Sequence, residues 1–251
     1  LEFLIVCPFA ALAGFIDAVA GGGGLISIPA YLLAGLPVHA AIATNKMSST
    51  MGIVVTTWRY AAHGYMVKEL VVWGVICGLA GSTLGSNLAL ITGDAAFRII
   101  MLAVIPIAGF YVLRNGDLAA SAKNPLSNRA TIVATAVIAL CMGFYDGFYG
   151  PGAGTFMLLL LSGVARLGLN TAAGTTKAIN TATNVAALVV FLVNGAVLLP
   201  LGFAAGTFNI AGNLLGSRRF MRKGSIIVRP VILVVLVLFA CKLIEELFFA
   251  G

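Results

Sequence analysis

"GFIDAVAGGGGLISIP" occupies residues 14–29 and places one aspartate and four consecutive glycines inside an apolar stretch. A carboxylate is costly in apolar surroundings and glycine weakens a helix, so both need a reason. The arrangement returns as "GFYDGFYGPGAGTFML" over residues 143–158. Phe15, Asp17, Gly21 and Gly23 match Phe144, Asp146, Gly150 and Gly152 at a constant offset of 129. From Thr44 the offset becomes 131 and holds through Lys46/Lys177, Thr50/Thr181, Gly64/Gly195, Gly81/Gly212, Gly85/Gly216, Ser86/Ser217 and Arg98/Arg229. So many ordered matches, with one two-residue slip, point to a duplication.

The composition sets the solvent. Of 251 residues 61% are hydrophobic and 9% charged, with a mean hydropathy of +1.07. A soluble domain carries about 25% charged residues. Apolar runs over 70–91, 131–145, 172–193 and 226–243 approach the length that crosses a bilayer. The chain therefore reads as an all-α, polytopic helical membrane protein with the lipid bilayer around it. Residues 1–14 are short and apolar like a signal peptide, but they lack a basic start and their pattern recurs mid-chain, so they are expected within the fold.

The net charge of +7, from 15 basic and 8 acidic residues, has its usual membrane-protein source in cytoplasmic loops. No stripe alternates basic with aromatic residues, so nucleic acid is not an expected partner. Cys7, Cys77, Cys141 and Cys241 stand singly, which reads as packing. With His39 and His63 alone, and no HExxH or GxSxG, neither a metal site, a cofactor nor an enzyme is expected.

Each half shows five apolar segments, in the first at about 3–20, 25–36, 40–58, 70–91 and 97–113. The second is too short to cross a core about 30 Å thick, as is its counterpart at 154–164. Segments one and two thus form either a half-crossing or a hairpin that dips in and returns. Alternating sides then puts Arg59, Lys68, Arg114, Lys123, Arg129, Arg166, Arg218, Arg219, Arg222 and Lys223 on one face. That is the bias of the positive-inside rule. An odd count per half predicts two inverted repeats with interrupted or re-entrant helices, an arrangement common among secondary transporters. The units are 1–113, a polar cytoplasmic linker at 114–129, and 130–251.

Ionisable residues deep in the apolar segments are Asp17, Lys46, Asp146 and Lys177. Thr44, Asn45, Ser48, Ser49 and Thr50 surround Lys46; Thr175, Thr176, Asn180, Thr181 and Asn184 surround Lys177. Lys177, Asn180, Thr181 and Asn184 share one helical face. An ammonium with amides and hydroxyls suits an oxygen-rich anion better than a cation. Half-helices starting at Gly23 and Gly152 would aim positive ends and backbone N–H groups at the membrane centre. The expected anion site therefore draws on Thr44, Asn45, Lys46, Thr175, Thr176, Lys177 and Asn180, with Gly22, Gly23, Gly24, Gly152 and Gly154. Asp17 and Asp146 either couple protons or pair with the lysines. The GxxxG ridges on 70–91 and 201–218 could pack within a protomer or between copies in a homo-oligomer.

"GFIDAVAGGGGLISIPAYLLAGLPVHAAIATNK" and "GFYDGFYGPGAGTF…AAGTTKAINTATNVAAL" resemble the two signature regions of the TauE/SafE family of sulfite-exporter-like membrane transporters. The resemblance spans essentially the whole chain. It implies an inner-membrane, multi-pass permease for small sulfur-containing anions such as sulfite, sulfonates or sulfoacetate, with inverted repeats and proton-linked movement. The family's glycine breaks fall here on 21–24 and 150–154, and its polar basic stretches on 44–46 and 175–177. Pro151 and Ala153 depart from the all-glycine first break. The same fold carrying another organic or inorganic anion, or a passive anion channel, is the alternative.

Overall fold

A computed structural model describes residues 1–92 and 126–224, and beyond them 226–228, 230–235, 237, 238 and 241. The helices are α1 (Glu2–Ala20), α2 (Gly24–Leu33), α3 (Val38–Ala62), α4 (Lys68–Ile91), α5 (Asn128–Phe148), α6 (Ala153–Gly163), α7 (Leu169–Val193) and α8 (Leu199–Lys223). Their lengths repeat: 19, 10, 25 and 24 residues, then 21, 11, 25 and 25. The expected fifth segment at 97–113 lies outside the described residues. So do Arg98, Arg114, Lys123 and most of the polar linker, whose last residues already belong to α5.

The breaks are made as the glycines predict. Gly21 ends α1 at φ 84, its N–H closing on the Asp17 carbonyl, and Gly152 starts α6 at φ 78. Glycine enters this left-handed region without the Cβ penalty other residues meet. With ten and eleven residues, α2 and α6 span about half a bilayer core. α1, α4, α5 and α7 are long and apolar enough to cross one.

Each short helix returns the chain toward the start of the helix before it. Leu36 and Ala41, just past α2, share an apolar cluster with Val6 and Ala10 of α1. Arg166 and Leu167, just past α6, line a groove of about 300 Å³ with Asn128 and Thr131 of α5. The two returns lie at opposite ends of the bundle. Thr44, early in α3, accepts from the Leu198 N–H before α8, whereas the late Tyr60 of α3 stacks near Phe220, late in α8. The latter end, with the starts of α4 and α5, carries Arg59, Lys68, Arg129, Arg166 and the Arg218–Arg222 run.

Glycine ridges bind the two halves together. α4 lies on α5 and α7, and α8 lies on α1 and α3. A Cβ on Gly81 or Gly85 would strike the Leu140 or Phe144 carbonyl; one on Gly212 or Gly216 would strike that of Ala11 or Phe15. Ala11 and Phe15 precede Leu140 and Phe144 by 129 residues, so one contact is built twice. The spacing left open where these ridges pack, and they pack inside the protomer. Outside, Trp58, Trp73, Leu84, Phe203 and Leu215 stand exposed, an apolar rim suited to lipid. Cys7 is buried, but Cys141 and Cys241 lie on exposed faces and are not core packing.

Forcing a side chain into such a seam costs about 1–3 kcal/mol or more. Gly212→Val should therefore lower the melting temperature in detergent, while Gly168→Ala, at φ −61 with open space around it, should leave it unchanged or slightly raised. Equal melting of the two variants would show that the α1–α8 seam is not close-packed.

Candidate functional site

The two breaks meet at the centre of the bundle. Gly21 lies against the backbone of Gly154, and Gly24 against Pro151. Around this contact the four deep ionisable residues form two ion pairs, each joining one half of the chain to the other. Lys46 of α3 reaches the Asp146 carboxylate of α5 at 2.7 Å, with side chains only 3% and 4% exposed. Lys177 of α7 reaches the Asp17 carboxylate of α1 at 3.2 Å and also donates to the Asp17 backbone carbonyl.

The pairing follows from cost and geometry. A lone charge at depth costs several kcal/mol, so each ammonium needs an acceptor. Each half holds one deep carboxylate of its own, Asp17 or Asp146, yet each lysine meets the one from the other half. The crossed arrangement satisfies both lysines at once. Glycine clears the space: a Cβ on Gly150 would sit 3.2 Å from the Lys46 Nζ, and one on Gly154 would sit 2.9 Å from the Asn180 amide nitrogen.

A cavity of about 20 Å³ lies between the breaks. Of the residues expected at the site, Asn45, Lys46, Asn180, Gly24, Gly154, Asp17 and Asp146 line it. Lys177 does not, because Asp17 holds its ammonium to one side. Thr44 serves the start of α8 instead, accepting from the Leu198 N–H at 3.1 Å. Thr175 and Thr176 are buried without a hydroxyl partner among the described residues. Neither lines the cavity: Thr175 turns away from the Asn180 face, and Thr176 stands on that face one turn before Asn180. Gly22 packs on Val235 and Gly23 on the Ala13 carbonyl, while Gly152 packs beside Phe156.

Other residues join the lining: Ser49, Ile53, Asn184, Gly21 and Gly150. Asn184 was visible as the next turn of the Lys177–Asn180 face, and its amide donates to Asn180 and Asp146. Thr181, expected on that face, instead bonds Thr57 of α3 at 2.6 Å. Next to the break glycines, the N–H groups of Leu25 and Ile26 bond the Gly22 and Gly23 carbonyls, and that of Ala153 bonds Gly150.

A second polar knot gave no signal in the motifs. Thr56 of α3 donates to the Asn213 carbonyl oxygen, the Asn213 amide donates to Asn209, and the Asn209 amide donates to the Ala10 carbonyl of α1. It ties three helices beside the site and lies outside the cavity.

A family profile described as "Sulfite exporter TauE/SafE" matches residues 6–243. The chain is similar to a "Probable membrane transporter protein ORF9" of a Sinorhizobium species, 36% identical over 98% of this chain and 93% of the relative. A "Probable membrane transporter protein" of Haemophilus influenzae is 32% identical over 94% and 91%. "Probable membrane transporter protein YfcA" of Escherichia coli is 33% identical over 94% and 87%. No solved structure matches the chain.

Removing one partner of a buried pair leaves an uncompensated charge, at a cost of about 3–5 kcal/mol. Lys46→Met or Asp146→Asn alone should destabilise the protein by that order, and the double variant should recover most of it. Additive losses in a double-mutant cycle would mean the two side chains are not coupled.

Proposed function

Since the chain belongs to the TauE/SafE family of membrane transporters, a non-enzymatic role, we propose that it is a proton-coupled secondary transporter of small sulfur-containing anions, namely sulfite, sulfonates or sulfoacetate. The observation that carries this reading is the pair of crossed Lys–Asp bridges beside one small cavity between two helix breaks. The family description names sulfite, and the relatives' names state membrane transport.

The halves work as inverted repeats that rock around this centre. Support comes from the equivalent helices α1 and α5, whose starts lie at opposite ends of the bundle, and from the seam contacts built twice. The basic end of the bundle, with the linker at 114–129, faces the cytoplasm of a cell whose inner membrane holds the protein.

The lining offers an anion the Lys46 ammonium and the Asn45 and Asn180 amides as donors. The ammonium is neutralised by a carboxylate until that carboxylate takes a proton, and a proton therefore releases the charge that holds the anion. The cavity has room for about one water. An anion of four or more heavy atoms enters only if the halves part, which favours a carrier over a passive channel.

Labelled sulfite flux into proteoliposomes should rise with an inward-directed proton gradient and show counterflow exchange, and Lys46→Ala should reduce both by tenfold or more in folded protein. Flux that saturates without counterflow would point to a channel. Competition by carboxylates but not by sulfonates would assign the same fold another cargo.

A further inference from the structure

The two ion pairs are related by the duplication, yet they are not built alike. Lys46 has one acceptor among the described residues, the Asp146 carboxylate, and lines the cavity. An ammonium has three N–H donors, so two remain for a ligand. Lys177, itself outside the cavity lining, gives its donors to two oxygens of a single residue, the carboxylate and the carbonyl of Asp17. That carbonyl also takes the Gly21 N–H, so Lys177 sits on the last turn of α1, where a cation complements the helix end.

The carboxylates differ in the same sense. Asp146 accepts from Thr183 at 2.7 Å and Asn184 at 3.4 Å on the oxygen opposite the one Lys46 uses. It can therefore be held in place whether or not Lys46 stays. Divergence falls at the matching positions: Asn180 and Asn184 line the cavity opposite Ser49 and Ile53.

Resting on the proposed transport, we infer that the pairs divide the work: Asp146 takes the proton and Lys46 the anion, while Asp17–Lys177 is a fixed clamp on the end of α1. In the exchange, one proton neutralises the Asp146 carboxylate and the Lys46 ammonium turns from it to the anion. Release reverses both steps, and no other bond changes. The empty site carries two positive and two negative charges. With one proton and one monovalent anion it again sums to zero. Both forms then cross the apolar interior without a net charge, so the cargo is a monoanion, a sulfonate or a singly charged sulfite, moved electroneutrally.

The charged groups facing Asp146 across the cavity are Lys46 of α3 and Asp17 of α1. α7 faces it through Thr183 and Asn184, α4 meets the same turn through Ser82 and Gly85, and α6 meets it through Phe156 beside Tyr145.

The test uses the full chain in proteoliposomes with a labelled alkanesulfonate monoanion. In the parent, net uptake should follow the pH gradient and change less than twofold when the membrane potential is clamped from zero to 100 mV either way. Asp146→Asn imitates the protonated acid. In the protein that folds, gradient-driven net uptake should fall at least tenfold further than counterflow exchange does, because the empty site is left charged. Asp17→Asn should lower the melting temperature and reduce exchange and net uptake in equal proportion. Should Asp146→Asn not fold, Asp146→Glu should shift the pH profile of net uptake, and Asp17→Glu should leave its midpoint in place. An uncoupling that follows Asp17, or uptake steeply driven by potential, overturns the division while transport itself stands. A parent that exchanges no sulfonate and no sulfite overturns the transport reading and this one with it.

Discussion

A lysine ammonium buried among apolar helices must have a counter-charge, and in this chain each half supplies the counter-charge of the other. Lys46 and Lys177 sit early on α3 and α7, and their carboxylates sit at the ends of α5 and α1. This crossing fixes much else. It requires α1 and α5 to end near the centre, so both break there, at Gly21 and Tyr149–Gly150. It requires room for an ammonium beside backbone, which glycine alone provides at Gly150. The short returning helices follow, since a chain that stops near the centre turns back.

The same constraint explains why the seams are glycine-lined. If the charged ends of α1 and α5 are to reach across, those helices must lie close to partners from the opposite half. Gly81, Gly85, Gly212 and Gly216 let the backbones of α4 and α8 approach the carbonyls of α5 and α1. Lipid tails are as apolar as the helices, so close packing and polar contacts hold such a bundle together rather than a hydrophobic drive. The Thr56–Asn213–Asn209 knot adds the polar part on one side, and Ser82, donating to the Thr183 carbonyl, adds it on the other.

Much of this was legible in the sequence because the relevant signals are local. Helix lengths, the breaks and the short helices could be read from apolar runs and glycine placement, and the duplication from constant offsets. The four deep charges marked the place where the two ion pairs and the small cavity lie. Which aspartate meets which lysine was not legible, since Asp17 and Lys177 are 160 residues apart and no local pattern specifies a partner across halves. The fine membership of the site also depended on rotation about each helix. Thr175 points to another side of α7, Thr176 lies a full turn before Asn180, and Thr181 turned to Thr57, whereas Ser49 and Asn184 faced inward. Polarity near a key residue marks a neighbourhood; the phase of the helix decides which members enter.

The α1–α8 seam has a consequence for how the chain is made. α1 emerges from synthesis first, and the helix whose glycines receive it begins at Leu199. α4 likewise waits for α5, and Asp17 waits for Lys177. The ridge of α4 and Lys46 find their partners when α5 arrives, but α1 and Asp17 stay unpartnered until α7 and α8 have been inserted. Such late, long-range closure makes folding slow and leaves an intermediate exposed to wrong partners. The halves repeat one pattern in sequence, but each leaves seams that only the other fills, and the α1 seam closes only when α8 arrives.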